Sequence, residues 1–115
     1  LEEKVEDANA FEKEILQNLG LIPEIASRYR STYFAHIFAG GYSSGYYSYL
    51  WTEVLDADAF ELFKEKGLFD AETANNLKTL IYSSGNTRDL MDQYRKFRGS
   101  DPEIEPLLER RGLVD

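Results

Sequence analysis

Tyr33-Phe34-Ala35-His36-Ile37-Phe38-Ala39-Gly40-Gly41-Tyr42-Ser43-Ser44-Gly45-Tyr46-Tyr47-Ser48-Tyr49-Leu50-Trp51 holds five tyrosines, three glycines and the only histidine of the 115-residue chain. Such density exceeds what a packed core requires. Glycine lets a backbone approach another chain closely or take positive φ, and a tyrosine hydroxyl both donates and accepts hydrogen bonds. Together they suit a surface that grips a peptide.

Helical periodicity runs outward from this stretch on both sides. Upstream, Ala8, Phe11, Ile15, Leu16 and Leu19 fall on one face, and Gly20 offers a left-handed stop, so a helix is expected from Asp7 to Leu19. Glu24 to Phe38 lacks sustained periodicity and reads as loop or irregular helix. Downstream, Tyr47, Trp51, Val54, Leu55, Ala59, Leu62 and Phe63 keep a broad apolar stripe, which predicts a long helix from Ser44 to Lys66 ended by Gly67. Asp70 is placed to cap a helix carrying Ala74, Leu77 and Ile81 that closes at Gly85. Leu90, Met91, Tyr94 and Phe97 predict a shorter helix stopped by Gly99. A last one is expected from Asp101 with Pro102 at its first position, Ile104, Leu107 and Leu108 facing inward, and Pro106 complicating the start. No segment alternates like a strand, so the fold class is all-α.

Composition narrows the partners. Thirteen basic against twenty-one acidic residues give a net charge of −8, and the isoelectric point is near 4.7, which argues against nucleic acid and anionic membrane. No apolar run reaches the length of a membrane span or a signal sequence. The absence of cysteine excludes disulfides and is compatible with the cytoplasm, the compartment expected here. Leu1 is not a start methionine, which fits an excised segment.

Several residues invite chemical readings. A lone histidine such as His36 is more often structural than catalytic, and a glycine pair such as Gly40-Gly41 is more often a plain turn. No P-loop lysine follows that pair, so a phosphate cradle is a poor reading. Glu53, Asp56 and Asp58 lack the pattern of a calcium loop and read as a solvated or capping helix face. Tyr47 reads as core, packed on the stripe with Trp51 and Val54. Arg28 and Arg30 could pair with acidic surface or with a substrate carboxylate.

The motif His36-Ile37-Phe38-Ala39-Gly40-Gly41-Tyr42 with Gly45-Tyr46-Tyr47-Ser48-Tyr49-Leu50-Trp51 resembles the substrate-binding loop and following helix of the thimet oligopeptidase family of zinc metallopeptidases. It is most similar to the branch of bacterial peptidyl-dipeptidases and oligopeptidase A. Arg28 to Phe34, Glu53 to Phe60, Ser84-Gly85-Asn86, Phe97-Arg98-Gly99 with Pro102, and Arg111-Gly112-Leu113 extend the similarity from about Val5 to the end. Ser43-Ser44 stands where the family usually has small residues, often alanine.

The resemblance implies the multi-helical C-terminal portion of a zincin-like metallopeptidase catalytic domain, a single segment over residues 1–115. It implies that His36 contacts substrate backbone near the scissile bond, that Gly40 and Gly41 let a loop close over the peptide, and that Tyr46 also binds substrate. Tyr49 would donate to the oxyanion, with Tyr42 binding a peptide carbonyl or assisting. Tyr42 and Tyr49, seven apart, would share a groove if the helix began early. The parent's zinc needs a His-Glu-x-x-His helix and a further ligand; one histidine and no cysteine cannot build that site, so no metal is expected on this chain alone. The expected partners are short peptides and the parent enzyme's catalytic half, and the isolated chain is expected to be inactive. Helix faces left uncovered would favour self-association. The alternatives are a truncated, non-catalytic peptide-binding or interaction module, and a purely structural remnant.

Overall fold

A computed structural model describes residues 4–114; Leu1, read above as a segment boundary, lies outside them. The chain divides between Tyr46 and Tyr47 into two compact units. Every regular element among the described residues is helical.

The first unit opens with α1, Ala8–Asn18. Asp7 caps it, its carboxylate accepting from the amides of Asn9 at 2.9 Å and Ala10 at 3.1 Å, which satisfies donors the helix itself leaves open. Gly20 at φ +84° turns the chain away, as its position predicts. Glu12 then reaches forward to accept from the Ser31 amide at 2.6 Å and hydroxyl at 2.8 Å, and Arg30 pairs with the same carboxylate at 3.5 Å. The Ser31 amide, then its hydroxyl, hold the Glu12 pKa below the usual carboxylate range. The irregular stretch ends in α2, Ala35–Phe38, followed by a 3₁₀ turn, Gly40–Tyr42. No described residue of this unit is buried.

The second unit is built on α3, Ser48–Lys66. It starts four residues later than the stripe suggested, because Ser44 sits at φ +57° and Gly45 bonds back to the Tyr42 carbonyl at 2.8 Å. Tyr47 therefore precedes the helix and is 73% exposed rather than core. Gly67, at φ +118°, ends α3. Asp70 caps α4, Ala71–Asn76, by accepting from the Thr73 amide at 2.7 Å, and that hydrogen bond is the main cause lowering its pKa.

The backbone then widens into a π-helical stretch, Leu77–Tyr82, closed by the Ser83 amide reaching the Lys78 carbonyl at 2.8 Å. Asp89 caps α5, Leu90–Arg98, and Gly99 at φ +90° stops it. The last helix, α6, covers Glu105–Arg110. It begins later than expected because Pro106, not Pro102, occupies the first turn, where its missing amide costs nothing. Asp101 is left to accept from Arg95 at 2.6 Å instead of capping, and Ile104, expected inside, is 54% exposed.

Val54 and Ala57 of α3 meet Leu107 of α6 in a small core. Burying a side chain the size of Val54 or Leu107 contributes about 1.5–3 kcal/mol. Arg110 reinforces the same pairing through Asp56 at 2.8 Å, and Arg111 through Glu53. Asp58 departs most from expectation. It is 1% exposed, accepting from the Tyr94 hydroxyl at 2.5 Å and from Arg98 Nε at 3.3 Å, so it joins α3 to α5 rather than facing water.

Candidate functional site

Phe34 precedes α2, a single turn that carries His36. The Ala39 amide closes that turn on the Ala35 carbonyl at 2.8 Å, after which Ala39 is extended, at φ −119° and ψ 156°. Gly40 then takes φ +67°, a conformation in which a side chain would be strained. The glycine pair thus reverses the chain directly after the histidine and folds Tyr42 back over it. No atom lies within 4 Å of where a Cβ would stand at Gly40 or Gly41, so this stretch of backbone is open on its outer side.

The reversal assembles an aromatic cluster. The rings of His36 and Tyr42 are 4.5 Å apart and nearly perpendicular, at 89°, and His36 meets Tyr46 at 5.2 Å and 77°. Both are edge-to-face arrangements, which aromatic quadrupoles favour over direct stacking. Tyr42 and Tyr46 lie 6.4 Å apart. Phe34 supports Tyr46 at 5.1 Å and stacks on Tyr29 at 4.8 Å. The Arg28 guanidinium lies 5.2 Å from the Tyr29 ring centre, within cation–π range.

His36, Gly40, Gly41, Tyr42 and Tyr46 therefore lie together in the first unit. Tyr49 belongs to the second, in the first turn of α3, and is 43% exposed. Tyr42 lies in the 3₁₀ turn and not on α3, so the helix does not begin early enough to set Tyr42 and Tyr49 two turns apart on it. Phe34 and Tyr29 were given no role by sequence reasoning. The clue was their place in the aromatic run just upstream of His36.

Chemically, the cluster offers one imidazole, able to donate and accept, and two phenols, beside a turn whose backbone a peptide could approach. Among the described residues no three His, Cys, Asp or Glu side chains converge to hold a metal ion. With one histidine and no cysteine, the donors present do not fit a catalytic zinc, which takes three protein ligands. Among them, too, no helix is long and apolar enough to cross a membrane.

The model of peptidase family M3 matches residues 2–113. The chain belongs to that family. It is 46% identical over 113 residues to the dipeptidyl carboxypeptidase of Escherichia coli (strain K12), a match covering 96% of this chain and 16% of that protein. It is 49% identical over 80 residues to oligopeptidase A of the same organism, covering 70% of this chain and 12% of the relative. A probable cytosolic oligopeptidase A of Arabidopsis thaliana is 46% identical over 85 residues, again 70% and 12%. The chain thus spans from 11% to 17% of the length of the curated relatives it matches. Both the all-α class and the peptidase resemblance read from the motif around His36 agree with these findings.

Proposed function

We propose that this chain is the substrate-binding and oxyanion-stabilising C-terminal part, a single segment, of a cytoplasmic zinc-dependent peptidase that hydrolyses short peptides as a peptidyl-dipeptidase does. The observation that carries the reading is the His36–Tyr42–Tyr46 cluster, folded over the Gly40-Gly41 turn within a chain of the M3 family. Zinc and its general base belong to residues outside this chain, in the parent's catalytic half. The chain's own part is positional and electrostatic. His36 and Tyr46 bind the peptide backbone, and the turn bonds the peptide through its amides. Tyr49 donates to the oxygen on which negative charge develops, Tyr42 binding a peptide carbonyl or assisting, and one such donor is worth about 3 kcal/mol of barrier. The chain alone is inactive and binds no zinc.

The test is complementation. Escherichia coli dipeptidyl carboxypeptidase lacking the region aligned with this chain is mixed with the 115-residue chain, and hydrolysis of a short peptide is followed. Restored turnover with wild type, absent with Tyr49→Phe, is the expected result. Turnover by the 115-residue chain on its own, or restoration indifferent to Tyr49, Tyr42 and His36, overturns the proposal. The alternative, a non-catalytic peptide-binding module, requires peptide binding by the chain with no restored turnover.

A further inference from the structure

Glu12 lies on α1, outside the aromatic run, yet its carboxylate grips the chain that leads into it. One oxygen, Oε2, accepts from the Ser31 amide at 2.6 Å and from the Ser31 hydroxyl at 2.8 Å. The other, Oε1, faces the Arg30 guanidinium at 3.5 Å. The Glu12 side chain is 10% exposed and that of Arg30 51%. Short bonds to an ionised acceptor are the strong kind, whereas a long pair with one partner half in water contributes little. The anchor is therefore the bond to Ser31, not the ion pair.

From Ser31 to the cluster the chain runs through consecutive turns. The Tyr33 amide bonds back to the Arg30 carbonyl at 3.0 Å, and the Ala35 amide to the Tyr33 carbonyl at 2.9 Å. Phe34, set between them, meets Tyr46 edge-on at 5.1 Å, and Tyr46 meets His36 at 5.2 Å. Every contact on this path is made within residues 12–46. Tyr49, in α3, is not on it.

We propose that Glu12 is a positioning residue for the peptide site: by holding Ser31 it sets Phe34 against Tyr46, and so fixes the Tyr46 and His36 rings that receive the peptide backbone. The inference rests on the peptide-binding reading of His36 and Tyr46 given above.

Steady-state kinetics of a full-length M3 peptidase carrying this segment test it. Glu12→Ala should raise KM for a short peptide by about tenfold, roughly the worth of one hydrogen bond, and leave kcat near wild type. A variant that merely folds less well would lower kcat per total enzyme and leave KM alone, so the split separates positioning from stability. Glu12→Gln should recover the wild-type KM, because its amide oxygen still accepts from Ser31, and Arg30→Met should keep it. Phe34→Ala should raise KM as well, and adding Glu12→Ala to it should raise KM no further, since both act through one ring. His36→Ala checks the reading beneath. If it raises KM and Glu12→Ala does not, the remainder of the longer enzyme holds the loop, and the positioning role falls while peptide binding by His36 stands. If neither raises KM, both fall. A Glu12→Ala effect confined to kcat, or an equal rise in KM with Arg30→Met, also overturns the proposal.

Discussion

The Tyr94 hydroxyl donates to Asp58 Oδ2 across 2.5 Å, and this bond ties α5 to the middle of α3 at a point where neither group reaches solvent. Burial, then the carboxylate partner, push the Tyr94 pKa well above its ordinary value, so the phenol remains a donor throughout the working range. Arg98 supplies the countercharge. Burial works against its guanidinium, but Asp58 and Glu65 more than offset this and raise its pKa. Asp58→Ala would take the shared acceptor from a mostly buried guanidinium and a buried hydroxyl, leaving them Glu65 at 3.1 Å and the Leu55 carbonyl at 3.3 Å, at a cost of roughly 3 kcal/mol. Tyr94→Phe removes one donor and should cost roughly 1–2 kcal/mol. Urea denaturation of the chain reads both, and variants as stable as wild type would show that the network carries no stability.

For catalysis the decisive variant is Tyr49→Phe in a full-length M3 peptidase carrying this segment. If the hydroxyl acts chiefly on the oxyanion, kcat should fall by about two to three orders of magnitude with KM little changed. Tyr82→Phe, a tyrosine of the π-helical stretch that is 73% exposed, serves as comparison and should be silent. A rise in KM alone would make Tyr49 a ground-state binding residue.

The two glycines of the turn should separate. Gly40 needs its φ of +67°, so Gly40→Ala strains the turn by about 1 kcal/mol or more and should raise KM. Gly41 has open space around it and no positive φ, so Gly41→Ala should be tolerated. Equal effects from both would mean that the turn's backbone conformation does not matter to binding.

Acid should weaken both units locally. Glu12 and Asp70 have pKa values below their ordinary 4.5 and 3.8. Each therefore stabilises the folded state fully above its ordinary value and loses that contribution as pH falls through its lowered folded value. Amide resonances of Ser31 and Thr73, the donors to these carboxylates, should shift together with that protonation. Amides that titrate at the ordinary values would show that the hydrogen bonds do not persist.

The sequence was most readable where a single residue dictates local geometry. Asp70 caps as expected, and Gly20, Gly67 and Gly99 end their helices. The gathering of His36, Tyr42 and Tyr46 was legible only as a motif, because nothing in residue spacing reveals that Gly40 folds Tyr42 back onto His36. Asp58 was misread because a carboxylate among acidic neighbours on a helix usually faces water; its partners, Tyr94 and Arg98, lie too far along the chain for local pattern to find. Tyr47 was misread because an apolar stripe continues past the point where Ser44 and Gly45 prevent the helix from starting.

The π-helical stretch between Leu77 and Tyr82 makes this part of the chain sensitive to length. Because the Ser83 amide reaches back to Lys78, five positions instead of four, the stretch accommodates one residue more than an α-helix would in the same turn. Deleting a residue there, such as Thr79, would let the backbone relax to α geometry while α5 and α6 keep their register. Deleting one from α3 between Tyr49 and Val54, where there is no such slack, would rotate Tyr49 about 100° around the helix axis relative to the Val54 and Ala57 side of the core. Among homologues of this segment, single-residue gaps should therefore gather between 77 and 82 and be absent between 50 and 53.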